Sequence, residues 1–290
     1  MVKYTLTCTE FCKPTRPVLR YHGGKWRMAK WLISHFPPHR IYVEPYGGAA
    51  SVLLLKQPSR TDVYNDLDEE IVNVFRVLRN SSQADELRRL LFLTPFARSE
   101  YDLSMEPSGD PVEMARRTIV RSFMGHGSNA AIARYKSGFR SRRKGFAGPE
   151  RDWKNYFDCV PAFVNRLRQI VIECCPAMEL IARYDSPDTL FYIDPPYLLE
   201  SRTSPKNGYR YEMTVADHEE LAERLHNISG MAVVSGYDSD LYNVLYGDWP
   251  VFSITSHADS ISLGKGGFRT EFLWLSPSAQ GRKPFRFIWE

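Results

Sequence analysis

Hydrophobic and polar positions along the 290-residue chain change period several times, and each change predicts an element. Thr189 to Ile193 is apolar, aromatic and β-branched throughout, which predicts a strand buried on both faces that stops at Asp194-Pro195-Pro196-Tyr197. Ile41 to Glu44, Thr61 to Asn65 and Met231 to Ser235 predict further strands, and Ile170 to Cys174 another. Between them lie helical spacings: Met28, Trp31, Leu32 and Phe36; Ile71, Val74, Phe75 and Leu78; Leu87, Leu90 and Leu91; Val160, Phe163, Val164 and Leu167. Asn80-Ser81-Ser82 breaks one helical run from the next. Thr214-x-x-Asp217 is a capping pattern for a helix through Leu221 and Leu225, on whose polar face His218 is expected to be solvated. Val251 to Ile254 and Glu271 to Leu275, joined through Gly264, Gly266 and Gly267, predict an antiparallel hairpin at a sheet edge. Strands alternating with helices make this an α/β chain with a mainly parallel sheet.

Composition changes that picture little. Hydrophobic residues at 43% and charged residues at 25% are ordinary for a soluble protein, and no run approaches 18 apolar residues, so no membrane span is expected. Met1 to Pro17 lacks the pattern of a secretory signal. The five cysteines (Cys8, Cys12, Cys159, Cys174, Cys175) are odd in number and lack metal-ligand spacing, so free thiols in a reducing cytoplasm and no metal are expected.

Charge matters more. The net +4 is unevenly spread: Pro111 to Asn155 holds 11 Lys or Arg against three acids, a net +8 that leaves about −4 elsewhere. In this span Phe123, Tyr135, Phe139 and Phe146 alternate with glycines, the composition of a surface that tracks phosphates and probes bases. Arg134, Lys136, Arg140, Arg142, Arg143 and Lys144 are its candidate DNA contacts. Lys265 and Arg269, in the hairpin connection, are weaker candidates.

Two stretches carry chemistry. Ile41 to Ser51 reads as a strand, a turn at Glu44-Pro45-Tyr46-Gly47-Gly48, and a helix opening on small residues. About 20 residues on, Asp66 ends a second strand where a ribose would sit. That unit suits a nucleoside cofactor and by itself leaves nicotinamide and S-adenosylmethionine both open. At Asp194 the two prolines stiffen the backbone and remove donors, so the carboxylate and the Pro195 carbonyl form a pair of acceptors beside the Tyr197 ring. Such a site suits a planar ring bearing an exocyclic amine, stacked on the tyrosine and poised to attack an activated methyl group.

With these residues in view, the chain resembles the Dam-like DNA adenine N6-methyltransferases, amino-methyltransferases with the Asp-Pro-Pro-Tyr motif. The resemblance covers Tyr21 to about Leu275. It is specific at Asp194, Pro195, Pro196 and Tyr197, good at Glu44 to Ser51 and Asp66, and weak in the basic span. It departs at Tyr21, where Trp is frequent, and at Ala50, which replaces a glycine.

The resemblance implies a Rossmann-like S-adenosylmethionine-dependent methyltransferase fold, with a seven-stranded sheet and a mostly helical target-recognition insert. Residues 1–80 and 170–290 would form the catalytic domain and 81–169 the insert. It makes Tyr21, Lys25, Glu44, Gly47, Gly48, Asp66 and Asp194 candidate cofactor residues. The implied activity is methyl transfer from S-adenosyl-L-methionine to the N6 amine of an adenine flipped from double-stranded DNA, in a bacterial or phage cytoplasm. A cytosine-N4 or other amine methyltransferase, and an inactive DNA-binding relative, are the alternatives. Target sequence, pairing with a restriction enzyme and oligomeric state stay open, and a monomer would suffice.

Overall fold

The computed structural model describes residues 13–127, 130–131, 137–141, 148–198, 209–257 and 268–280. Its centre is a seven-stranded sheet: β1 (Ile41–Glu44), β2 (Thr61–Asn65), β3 (Ile170–Glu173), β4 (Thr189–Ile193), β5 (Met231–Gly236), β6 (Val251–His257) and β7 (Phe268–Leu275). The order is β3-β2-β1-β4-β5-β7-β6, parallel from β3 to β5, with β7 antiparallel to both β5 and β6. The expected parallel sheet with an antiparallel edge hairpin is therefore present. Strand order reverses between β1 and β4, and open α/β sheets bind ligands beyond the carboxyl ends of strands at such a point.

Alternation along each strand divides the core in two. Tyr42, Tyr64, Leu190, Tyr192, Met231, Val233, Leu273 and Leu275 face one side, and Val43, Val63, Phe191, Ile193, Ala232, Val234 and Trp274 the other. The helices cover both faces. On the first lie α1 (Ala29–Ser34), α2 (Ser51–Leu55), α3 (Glu69–Arg79), α4 (Ser81–Leu93), α5 (Arg98–Leu103), α6 (Pro111–Met124), α7 (Glu150–Lys154) and α8 (Val160–Leu167). On the second lie α9 (Ala177–Tyr184), α10 (Val215–His226) and α11 (Asp240–Leu245). The first cluster runs without a break from the sheet through Leu87, Ile119, Phe123 and Trp153, so the helices of the expected insert share the core of the catalytic half.

Capping sets the helix boundaries. Asp68 accepts from the Glu70 amide to open α3, and Asn80 closes α3 and accepts from Gln83 to open α4, as its turn residues predict. At the amino end of β2, far from the ligand end, buried Asp62 pairs with Lys56 at 2.8 Å and Arg166 at 2.6 Å. Removing one partner of such a buried group costs about 3–5 kcal/mol, which makes this cluster a structural clamp.

One expectation is corrected. His218 is fully buried, not solvated, with Nδ1 3.3 Å from the Tyr242 hydroxyl. It precedes Leu221 and Ala222 by three and four residues, so it lies on the stripe of α10 that packs on the sheet. Among the described residues Cys159, Cys174 and Cys175 are free, while Cys8 and Cys12 lie outside them. No described helix is long and apolar enough to cross a membrane.

Candidate functional site

A cleft opens beyond the carboxyl ends of β1, β2 and β4, and it gathers all seven sequence-derived cofactor residues. Tyr21, Lys25, Glu44, Gly47, Gly48, Asp66 and Asp194 all line it, with Pro196. Its floor is the turn after β1. Gly48 has φ +48°, and a Cβ there would lie 2.7 Å from the Tyr21 ring. Tyr21 thus stacks close over the turn. Ala50, where the resemblance expects glycine, also takes a left-handed conformation, at φ 52°.

Asp66 ties this turn to the end of β2. Its two oxygens accept from the Gly48 and Asp68 amides at 2.8 Å each. The α3 cap falls to Asp68, so Asp66 is not that cap. Burial pushes the Asp66 carboxyl up to about 6 against those hydrogen bonds, which pull it down. Glu44 sits deeper. It accepts from the Tyr42 hydroxyl at 2.7 Å, yet burial pushes its carboxyl up to about 8.

Raised carboxyl pKa values make a testable stability signature. A group that holds its proton more tightly folded than unfolded stabilises the fold fully below its unfolded value, about 4.3 for Glu, and loses that contribution as pH rises through the folded value. Wild-type protein without ligand should therefore lose melting temperature relative to Glu44→Gln between about pH 4.5 and the folded pKa of about 8, and level off above it. Thermal scans of both proteins across this range check it; parallel curves would show that Glu44 is ionised in the free fold.

At the mouth of β4 stands the catalytic candidate. Asp194 Oδ1 accepts from Lys25 Nζ at 2.8 Å, from Ser235 Oγ at 3.0 Å and from the Tyr197 hydroxyl at 3.0 Å. Lys25 also donates to the Gly23 carbonyl at 2.9 Å and lies 3.4 Å from Glu271. Burial pushes its ammonium down, but Asp194 and Glu271 outweigh that and hold it above the usual lysine range. Tyr197 is turned inward: its hydroxyl reaches Glu271 as well as Asp194, Lys25 Nζ stands 4.8 Å over its ring, and Tyr237 packs against it at 4.7 Å. The open stacking face expected of this ring is covered here. Pro195 is buried and does not line the cleft.

Several site residues escape a reading of the sequence alone. Glu271 and Ser235 are buried polar groups at the ends of apolar runs, Phe272 to Leu275 and Met231 to Val234, and a polar residue in phase with the apolar positions of its strand is the signal that could have found them. Tyr192 lines the cleft and meets Ser235 Oγ at 3.1 Å. Tyr209 and Arg210 lie over the cleft, with Arg210 bound to Asp68 at 2.8 Å and to Glu70 at 3.4 Å. Glu70 is also paired with Arg121 of α6, which links the cleft to the basic span.

Of the candidate DNA contacts only Arg140 is described. It pairs with Asp152 at 3.0 Å, and its amide donates to the Met124 carbonyl at 2.7 Å. Arg134, Lys136, Arg142, Arg143, Lys144 and Lys265 lie outside the described residues, as does the side chain of Arg269. Among the described residues no group of three or more His, Cys, Asp or Glu is placed to hold a metal.

A DNA adenine methylase of Vibrio cholerae is 26% identical over 245 residues, covering 81% of this chain and 86% of the relative. That of Serratia marcescens is 25% identical, covering 79% and 86%, and that of Escherichia coli K12 is 24% identical, covering 81% and 85%. Among solved structures an rRNA methylase from Streptococcus thermophilus aligns at 9% identity with a TM-score of 0.32, over 86% of this chain and 93% of that one, a likeness too slight to build on. The profile of the D12 class N6 adenine-specific DNA methyltransferases matches residues 21–261, which include both the Gly47-Gly48 turn and Asp194-Pro195-Pro196-Tyr197, and the chain belongs to that family.

Proposed function

We propose that the cleft binds S-adenosyl-L-methionine and that Asp194, with the Pro195 carbonyl, holds the N6 amine of an adenine turned out of double-stranded DNA. One observation carries this reading: the Gly47-Gly48 turn, Asp66 and Asp194 come from three different strand ends and open into one cleft. The lining fits the cofactor. Ser51 Oγ and Asp68 Oδ2 are buried at this cleft without a hydrogen-bond partner, as donors and acceptors awaiting a polar ligand would be. Glu44, Asp66 and Asp68 suit a ligand carrying positive charge and ribose hydroxyls. When bound, the cofactor supplies an activated methyl group on its sulfonium.

The chain's own part is to make the amine reactive and to hold it still. Adenine's amine is a weak nucleophile because its lone pair is delocalised into the ring; acceptors on its two hydrogens favour the pyramidal form in which that pair is free. Asp194 is suited to this because Lys25 and Ser235 fix its carboxylate in one orientation. Tyr197 would offer its ring to the extruded base in place of its present contact with Tyr237, its hydroxyl remaining on Glu271. The base-recognition role falls to the insert, 81–169.

Nucleoside analysis of DNA treated with the protein and labelled S-adenosyl-L-methionine tests the reading. Label in N6-methyladenine is the expected result; label in N4-methylcytosine, or none, overturns it. The insert has its own test. Deleting a side chain that binds one phosphate should flatten the salt dependence of DNA binding by about 0.9 in log–log slope, whereas deleting one that reads a base should relax preference by about 1–3 kcal/mol at one position. Arg140→Ala is expected to show one of these shifts in titrations at several salt concentrations on cognate and scrambled duplexes. Unchanged slope and preference would remove Arg140 from the interface.

A further inference from the structure

Glu271 is a carboxylate in the wrong company for a strand core. It is 5% exposed and is followed by Phe272, Leu273, Trp274 and Leu275. A carboxylate so buried is expensive unless paired, so its partners indicate its purpose. They are Lys25 Nζ, at 3.4 Å, and the Tyr197 hydroxyl. Both also touch Asp194.

Sharing of donors ties the two carboxylates together. Asp194 Oδ1 meets three of them, from Lys25, Tyr197 and Ser235, which is a crowded arrangement for one oxygen. All three meet the same oxygen, and the carboxylate has a second one with which to accept an amine. Two of the three already have a second acceptor in Glu271, and Tyr197, with a single proton to donate, cannot serve both carboxylates at full strength. The register of β5 and β7 puts Glu271 within reach of both donors. Ser235 pairs with Leu273, and Glu271 lies two residues along β7 on the same face, at the ligand end.

We propose that Glu271 is a positioning residue for methyl transfer, which anchors Lys25 and the Tyr197 hydroxyl so that, with Ser235, they hold Asp194 through Oδ1 and leave its second oxygen to the target amine. This rests on the reading of Asp194 as the amine acceptor. Glu271 touches neither substrate nor cofactor; it acts through Lys25 and Tyr197. Burial, with Asp194 nearby, pushes its carboxyl up, and Lys25 offsets this only in part.

The test is single-turnover methylation by the full chain, with cofactor affinity measured separately by calorimetry. Glu271→Gln keeps the shape and removes the charge; it should lower the single-turnover rate constant by about tenfold or more while the dissociation constant for S-adenosyl-L-methionine stays within about twofold. Glu271→Asp should restore part of the rate. On a Tyr197→Phe background, where one shared donor is gone, Glu271→Gln should cost less than in wild type, since coupled residues are not additive. A wild-type rate constant in Glu271→Gln overturns the proposal. So does a slower rate matched by weaker cofactor binding and a lower melting temperature, the pattern of a merely structural residue. Should Glu271→Ala fail to fold, the near-isosteric Gln variant still decides. Asp194→Ala run in parallel separates the two levels: if it retains turnover the acceptor reading fails, and if it is inactive while Glu271→Gln is unimpaired only the inference about Glu271 fails.

Discussion

Asp194→Ala is expected to leave a folded protein that binds S-adenosyl-L-methionine and transfers methyl groups slower by roughly two to three orders of magnitude or more, the scale seen when one preorganised polar group is removed from a reacting centre. The fold should survive because Lys25 and Tyr197 keep Glu271 as a partner and Ser235 keeps the Tyr192 hydroxyl. The rate should not survive, because the variant deletes one of the two acceptors proposed for the amine. A single-turnover assay with enzyme in excess reads the chemical step without product release. Near wild-type turnover there would sink the mechanism, whatever the steady-state rate.

Gly47→Ala is expected to have the largest effect on cofactor binding. A Cβ at this position would overlap Cε2 of the Tyr64 ring and lie 2.8 Å from the Asn65 carbonyl oxygen. Neither can yield. Tyr64 is fully buried and its hydroxyl donates to the Gly48 carbonyl at 2.8 Å. Asn65 is equally buried, and its amide bridges the Pro45 and Cys175 carbonyls and accepts from the Cys175 amide. The turn itself must shift, at a cost of about 1–3 kcal/mol, and the Gly48 amide then leaves Asp66. Calorimetry should show the cofactor dissociation constant raised by about tenfold or more, since each factor of ten is about 1.4 kcal/mol. Gly109→Ala, with nothing within 4 Å of its Cβ, is the control that should change nothing. Equal affinities for the two variants would move the cofactor off the turn.

Much of this architecture can be read from residue order. Runs such as Thr189 to Ile193 and Met231 to Ser235 are buried at every position, so period and composition alone distinguish them from surface segments. The capping residues Asn80 and Thr214 are legible for the same local reason: their side chains bond to amides three residues away. His218 misleads because its polarity suggests a solvated face, whereas its spacing from Leu221 and Ala222 puts it on the packed one, and in the folded chain spacing decides.

The site divides along the same line. The sequence by itself determined the pieces that depend on neighbours in the chain: the glycine turn after β1, the acid after β2, and the rigid Asp194-Pro195-Pro196-Tyr197 segment after β4. It also determined the parity of Ser235 and Glu271, which alternate with apolar residues and so had to share a face with Val233 and Leu273. Only the tertiary structure decided that this face is the one bearing Asp194 and Lys25, because that depends on strand order and register between segments up to 246 residues apart, Lys25 and Glu271. It likewise decided that Tyr197 faces inward. The reason is physical: local bonds and side-chain period are set within a few residues, whereas a buried carboxylate finds its counter-charge wherever the packed sheet brings one, and the chain between them carries no record of that meeting.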